Sequence, residues 1–163
     1  MRAMRFAVIG DPVSHSRSPA MHAAAYRALD LPHVYEAVRV AAGELPAVVE
    51  ALRAGAYDGL NVTVPHKERV LALADELDES ARAVGAANTL AVSDGRVVAF
   101  NTDAPALAAE LARLAAPAGI PAGARALVLG SGGAARAAVA ALGSLGVSDI
   151  VVRARAFDDA ARR

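Results

Sequence analysis

The 163 residues leave room for one ordinary domain, or for a compact domain of about 100 residues followed by part of another. Apolar residues make up 55% and charged residues 21%, which is enough core material to fold and too apolar for a disordered chain. The 17 basic and 17 acidic side chains cancel without a long run of either sign, so no nucleic-acid or membrane partner is expected and a small polar ligand stays open.

There is no cysteine, and the four histidines (His15, His22, His33, His66) lack metal-ligand spacing, so neither a disulfide framework nor a metal site is expected. A reducing compartment fits. The first ten residues run from a short apolar stretch into Asp11-Pro12, without a cleavage pattern or a long apolar segment, so secretion and membrane spanning are not expected.

Residues 5–9 form a short apolar run stopped by Gly-Asp-Pro, which predicts a buried strand. Ser18-Pro19 then opens a helix to Leu29, with Ser18 as N-cap and Pro19 at the first helical position. Strands follow at 34–40 and 59–64 around a helix at 44–54, and helical segments at 67–73 and 78–84 come next. Strands alternating with helices imply a mostly parallel sheet. Residues 89–93 and 96–100 flank Asp94-Gly95, a two-residue hairpin signal. A helix with leucines at 107, 111 and 114 spans 103–115, and Pro117-Ala-Gly-Ile-Pro-Ala-Gly123 breaks regular structure. Beyond it come a strand at 125–129, a Gly-rich turn, a helix to about Leu145 and a strand at 149–152.

The turn, Gly130-Ser-Gly132-Gly133-Ala-Ala135, fits the G-x-G-x-x-G/A pattern between a strand and a helix. In a dinucleotide site Gly130 allows the tight turn, Gly132 lets a pyrophosphate approach the backbone, and Ala135 lets helix pack on strand. The exposed N–H groups and the helix dipole favour the anion. A plain Gly-rich turn in an Ala-rich protein fits the same letters. At the end of the second strand an NAD site would carry an acid, whereas Val151-Val152-Arg153-Ala154-Arg155 offers two guanidinium groups suited to a 2′-phosphate, which favours NADP. Solvated arginines in a fraying tail are the alternative.

Four polar islands interrupt the apolar strands at what are expected to be their C-terminal ends, where parallel sheets place ligand sites. In Ser14-His-Ser16-Arg-Ser18, Ser16 and Ser18 can turn hydroxyls toward a helix N-terminus that suits a carboxylate, and helix capping by Ser18 is the plainer reading. In Asn61-Val-Thr63-Val-Pro-His-Lys67, period two sends Asn61 and Thr63 to one side, and a helix starting near Pro65 would bring Lys67 to them. Asn88, and Asp103 in Asn101-Thr-Asp103, complete the set, although either also fits as a cap.

Five motifs, Gly10-Asp-Pro-Val-Ser-His-Ser-Arg-Ser-Pro19, Asn61-Val-Thr-Val-Pro-His-Lys67, Gly85-Ala-Ala-Asn-Thr89, Asn101-Thr-Asp103 and Gly130-Ser-Gly-Gly-Ala-Ala135, resemble the shikimate dehydrogenase family in order and spacing. The resemblance implies an α/β fold: a mostly parallel α/β/α substrate-binding domain at 1–102, then the first β-α-β unit of a Rossmann NADP-binding domain at 103–163, with a linker helix at 103–116 and the fingerprint at 130–135. It implies reversible reduction of 3-dehydroshikimate to shikimate by NADPH. By that likeness Ser16 and Ser18 hold the substrate carboxylate, Asn61, Thr63, Asn88 and Asp103 its ring hydroxyls, and Lys67 with Asp103 forms the catalytic pair. Gly130, Ser131, Gly132, Gly133, Ala134 and Ala135, with Arg153 and Arg155, hold the cofactor, and no metal is involved. A cytoplasmic enzyme with a small-molecule substrate, and a homodimer as an admissible assembly, complete the expectation.

Departures from the family are specific. Ala106 stands where the family often has glycine, and Ala154-Arg155-Ala156 replaces the usual Asn-Arg-Thr, so Arg155 alone matches there. The family extends well past 163 residues, so the cofactor domain is expected to be cut short here. Two strands and one full helix leave a sheet edge unpaired and a face uncovered. Two other readings therefore stand beside the enzyme: a fragment that binds shikimate without turnover, and a relative acting on quinate or an aminoshikimate.

Overall fold

The protein, described by a computed structural model over residues 1–154, folds around two sheets. The larger takes its six strands in the order β2-β1-β3-β5-β6-β4. They are β1 (Arg5–Gly10), β2 (Val34–Arg39), β3 (Gly59–Val62), β4 (Glu76–Leu77), β5 (Thr89–Ser93) and β6 (Arg96–Phe100). β1 pairs in parallel with both β2 and β3, and β4 with β6, while β5 runs antiparallel to β3 and β6. The sheet is thus mixed and mostly parallel. The smaller sheet holds β7 (Arg125–Leu129) and β8 (Asp149–Arg153), paired in parallel.

Alternation along β1 organises the core, because successive side chains point to opposite faces. Ala7 and Ile9 enter the main core with Leu60, Val62, Leu90 and Ala99, closed by Leu45, Val49 and Leu52 of α2 (Leu45–Arg53). Phe6 and Val8 face the other way, where Val13 and Tyr35 join them under Tyr26 of α1 (Ser18–Ala28). The layers around the larger sheet are therefore helix, sheet, helix.

Predicted and observed elements differ in a few places, each with a local cause. Ser18 is the first helical residue rather than the N-cap: Arg17 holds the cap position, and the Ser18 amide donates to Ser16 Oγ at 3.2 Å. No helix starts at Pro65. Residues 63–68 form turns, with the His66 amide donating to the Thr63 carbonyl, and a short 3-10 helix follows only at Arg69–Leu73. β4 was not foreseen from the sequence. By contrast Asp94 and Gly95 both have positive φ (50° and 74°), the backbone that a tight hairpin of this kind needs.

α3 (Glu79–Val84) is capped by Asp78, whose side chain accepts from the Ser80 amide, and α4 (Asp103–Ala115) and α5 (Gly133–Ser144) pack on one another. Through Val84, Ala86, Ala104 and Ala137 these helices join the two sheets' surroundings into one small apolar cluster. On β7, Leu127 and Leu129 are exposed. Among the described residues no helix is long and apolar enough to cross a membrane.

Gly10 ends β1 against the segment that carries Lys67. A Cβ there would stand 2.5 Å from Thr63 Cγ2 and 2.8 Å from the Val64 carbonyl oxygen, both under contact distance. The Asp11 amide donates to that same carbonyl. Gly10→Ala is expected to lower stability by about 1–3 kcal/mol through this overpacking, read by urea unfolding, and an unchanged midpoint would show that the two segments are not in contact.

Candidate active site

The mixed topology gathers all four polar islands at one end of the large sheet. β1 and β3 deliver theirs from their C-terminal ends, as expected. Asn88 differs: it precedes β5 and lies at that strand's N-terminal end, because β5 runs antiparallel to β3 with Asn61 opposite Thr89. β6 turns back in the hairpin, Phe100 falls opposite Thr89, and Asp103 follows at the same end.

There the two charges meet. Lys67 Nζ lies 2.6 Å from Asp103 Oδ2, although 36 residues separate them in the chain. The other carboxylate oxygen, Oδ1, accepts from Asn88 Nδ2 at 2.8 Å. Asn88 is 8% exposed and fully engaged: Nδ2 also donates to Thr102 Oγ1, and Oδ1 accepts from the Thr102 amide and from Thr89 Oγ1. Asn61 continues the network, its Nδ2 donating to Thr89 Oγ1 at 3.2 Å.

A cavity of about 360 Å³ opens beside this network. Ser16, Ser18, Asn61, Thr63, Lys67 and Asn88 line it, together with Met21 and His22 of α1. Six of the seven residues expected to touch substrate line it, and Asp103 reaches it through Lys67 and Asn88.

Two further residues shape the site. Asn101, 1% exposed, uses Oδ1 to accept from the amides of Asp103 and Ala104, capping α4, and Nδ2 to donate to the Ala86 carbonyl. Asp103 is aimed by that cap. Tyr35 donates its hydroxyl to Asn61 Oδ1 at 2.6 Å, and its ring stacks on His22 with centroids 4.0 Å apart. Burial pushes the Tyr35 phenol up to about 12, with the Ser18 hydroxyl pulling the other way. A buried asparagine in a motif and a tyrosine in a strand carry no sign of these duties in sequence.

A second cavity, of about 460 Å³, lies between Lys67 and the Gly-rich turn, lined by Thr63, Val64, Leu129, Gly130 and residues 132–135. Gly130 has φ +128°, and a Cβ on Gly132 would meet nothing within 4 Å, so the backbone here is open to a close approach. α5 begins at Gly133 with no side chain capping its amides, which leaves donors for an anion. The turn fits a dinucleotide pyrophosphate on these grounds. Ser131 and Ala134 are exposed beside it, and Arg153 is exposed at the end of β8, while Arg155 lies outside the described residues. Gly133 has a different constraint: a Cβ there would come within 2.9 Å of Lys67 Cβ and 3.0 Å of Lys67 Cδ.

The model of the family described as shikimate dehydrogenase substrate binding domain matches residues 8–90, half of the chain. The chain belongs to the shikimate dehydrogenase family. An NADP(+) shikimate dehydrogenase of Rubrobacter xylanophilus is 48% identical over 150 residues, covering 91% of this chain and 51% of that protein. Among solved structures, shikimate 5-dehydrogenase of Thermus thermophilus in complex with NADP(H) and shikimate aligns with a TM-score of 0.80 at 43% identity, over 93% of this chain and 56% of that one. A 5-ketofructose reductase of Gluconobacter aligns with a TM-score of 0.78 at 33% identity, over 93% and 53%. The chain spans about half the length of the curated shikimate dehydrogenases it matches.

Asn101→Ala removes the α4 cap and leaves the Ala86 carbonyl unpaired in the interior. It is expected to lower stability by about 1–3 kcal/mol in denaturant unfolding, and a loss below about 0.5 kcal/mol would be incompatible with the buried bonding described.

Proposed function

We propose that this chain carries the substrate site of an NADP-dependent shikimate dehydrogenase, which interconverts 3-dehydroshikimate and shikimate. The observation that carries the reading is the ion pair of Lys67 and Asp103 at the cavity that Ser16 and Ser18 also line. The named relatives and the Thermus complex support it.

A ketone that accepts hydride gains negative charge on its oxygen, so catalysis needs a cation and a proton source beside that atom. Lys67 offers the ammonium, Asp103 fixes it by a charge-assisted bond, and Asn88 fixes Asp103. The proton is assigned to the pair jointly, since the two groups share one short charge-assisted contact. Ser16 and Ser18 present hydroxyls at the start of α1, whose dipole favours a carboxylate. Asn61, Thr63, Asn88 and Asp103 remain for the ring hydroxyls, Asn88 by exchanging one of its internal bonds for the ligand.

NADPH, when bound, supplies the hydride. Gly130 to Ala135 would hold its pyrophosphate and Arg153 with Arg155 its 2′-phosphate. The cavity between this turn and Lys67 gives the two ligands adjoining space. The division into a substrate domain at 1–102 and a cofactor part at 103–163 belongs to the same reading and is supported by the two separate sheets. So does a cytoplasmic enzyme with a small-molecule substrate and neither nucleic acid nor membrane as partner, supported by the balanced charge. A homodimer rests on the family resemblance alone.

The test is calorimetric binding of shikimate, with quinate as comparison, together with NADPH absorbance in shikimate plus NADP⁺. Shikimate is expected to bind and to be oxidised; absence of binding overturns the reading. Lys67→Met is expected to lower turnover by about 10²–10⁴-fold while shikimate still binds. Equal turnover in that variant would remove Lys67 from the chemistry.

A further inference from the structure

Tyr35 does not line the cavity, yet its hydroxyl bonds Asn61 and its ring stacks on His22, both of which do. It sits on β2, and Asn61 sits on β3, on the far side of β1. Register places Tyr35 beside Phe6 and Asn61 beside Val8, and Phe6 and Val8 share one face of β1. Two strand spacings amount to about 10 Å, so only a long side chain with a polar tip can cross over β1 to reach the asparagine. The Tyr35 hydroxyl does so, at 2.6 Å from Asn61 Oδ1. Phenylalanine would cover the same distance and offer no donor.

Both ends of this bond are held. The phenol ring lies 4.0 Å from the His22 ring and nearly parallel to it, at 10°. His22 stands one turn after Ser18 on α1, so the two share a helix face and both line the cavity. Tyr35 itself is 9% exposed, packed with Val8 and Val13, and has no freedom to point elsewhere. Burial keeps the phenol protonated well into the alkaline range, so it remains a donor.

The consequence lies at Asn61. An amide has one acceptor end and one donor end, and with Oδ1 committed to Tyr35 the donor end is turned to Thr89 Oγ1 and the Asn88 carbonyl. Thr89 Oγ1 donates in turn to Asn88 Oδ1, Asn88 Nδ2 to Asp103 Oδ1, and Lys67 Nζ to Asp103 Oδ2. Asn88 is held a second time from outside this path, by the Thr102 amide that donates to its Oδ1. Without the phenol hydroxyl, only the bonds from Nδ2 to Thr89 Oγ1 and the Asn88 carbonyl, at 3.2 and 3.4 Å, would hold the Asn61 amide, and its oxygen would lose its partner among the described residues.

We infer that Tyr35 is a positioning residue of the proposed substrate site: its hydroxyl fixes the orientation of the Asn61 amide at the cavity. The inference rests on the proposed shikimate site, and it makes Tyr35 part of that site's specificity for a polyhydroxylated ring although it touches no ligand.

The test is a double-mutant cycle on shikimate affinity, measured by calorimetry on the 163-residue chain. Tyr35→Phe retains the ring and its stack on His22, so the thermal midpoint serves as the check that the fold stands. Tyr35→Phe is expected to weaken shikimate binding about tenfold, and Asn61→Ala by a similar factor or more. In the Asn61→Ala background the added Tyr35→Phe change is expected to shift affinity by less than about twofold, because the hydroxyl acts through that amide. A purely structural role for Tyr35 would instead give multiplying losses, and that result overturns the inference, as does unchanged affinity in Tyr35→Phe alone. Failure of the wild-type chain to bind shikimate overturns the site reading and the inference with it, whereas normal wild-type binding with an uncoupled cycle overturns the inference alone.

Discussion

The short contact between the Lys67 ammonium and the Asp103 carboxylate is the constraint around which the rest of this fold is arranged. Two opposite charges at 2.6 Å, both partly withdrawn from water, hold only where neighbouring bonds satisfy what remains of their hydrogen-bonding capacity. Asn88 takes the second carboxylate oxygen, and Asn101 fixes the backbone from which Asp103 projects. On the lysine side, its carbonyl accepts from the Ala87 amide at 2.7 Å, which ties the turn bearing Lys67 to the segment bearing Asn88. Three stretches of chain meet at one point, and the one bearing Asn88 is fastened to both others by bonds that do not involve the charges.

That convergence explains the sheet. A wholly parallel order would set the segments before β5 and after β6 at opposite ends of their strands. The antiparallel excursion through β5 and β6 sends Asn88 and Asp103 to the end where β1 and β3 already deliver Ser16, Ser18 and Lys67. Asp94 and Gly95 make the excursion possible, since both adopt the positive φ that a two-residue turn requires. The hairpin is thus as much a part of the site as the residues that line it.

Much of this was legible in the sequence where local chemistry decides the outcome. Period-two alternation in 59–62 put Asn61 with Thr63, and the run from Asp103 to Ala115 carried a helical spacing that tertiary packing had no reason to override. Legibility failed where the cause is not local. The two residues of β4 are too few to carry a pattern, and they are extended because β6 offers them an edge. The stretch after Val64 reads as helical from its composition, but the Thr63 and Val64 carbonyls are already committed, to the amides of His66 and Asp11, so turns form instead. Tyr35 looks like an ordinary core residue because its partner lies two strands away, and cross-strand register cannot be read from a single strand. Arg155, the residue with the closest bearing on a 2′-phosphate, lies outside the described residues.

The Gly-rich turn adds a case in which the right residue was recognised for an incomplete reason. The pattern accounts for Gly130 and Gly132 by turn geometry and by open backbone, and the structure gives both the room they need. Gly133 answers to something else: the aliphatic stem of Lys67 and the methyl of Ala86 occupy the space a side chain would take. A glycine motif usually read as a cradle for phosphate is here also a contact surface for the side chain of Lys67. That contact joins the smaller sheet's turn to the residue whose ammonium pairs with Asp103. Any change that enlarges residue 133 therefore acts on the lysine before it acts on a cofactor, and the two parts of the chain are coupled through a van der Waals contact rather than through a ligand.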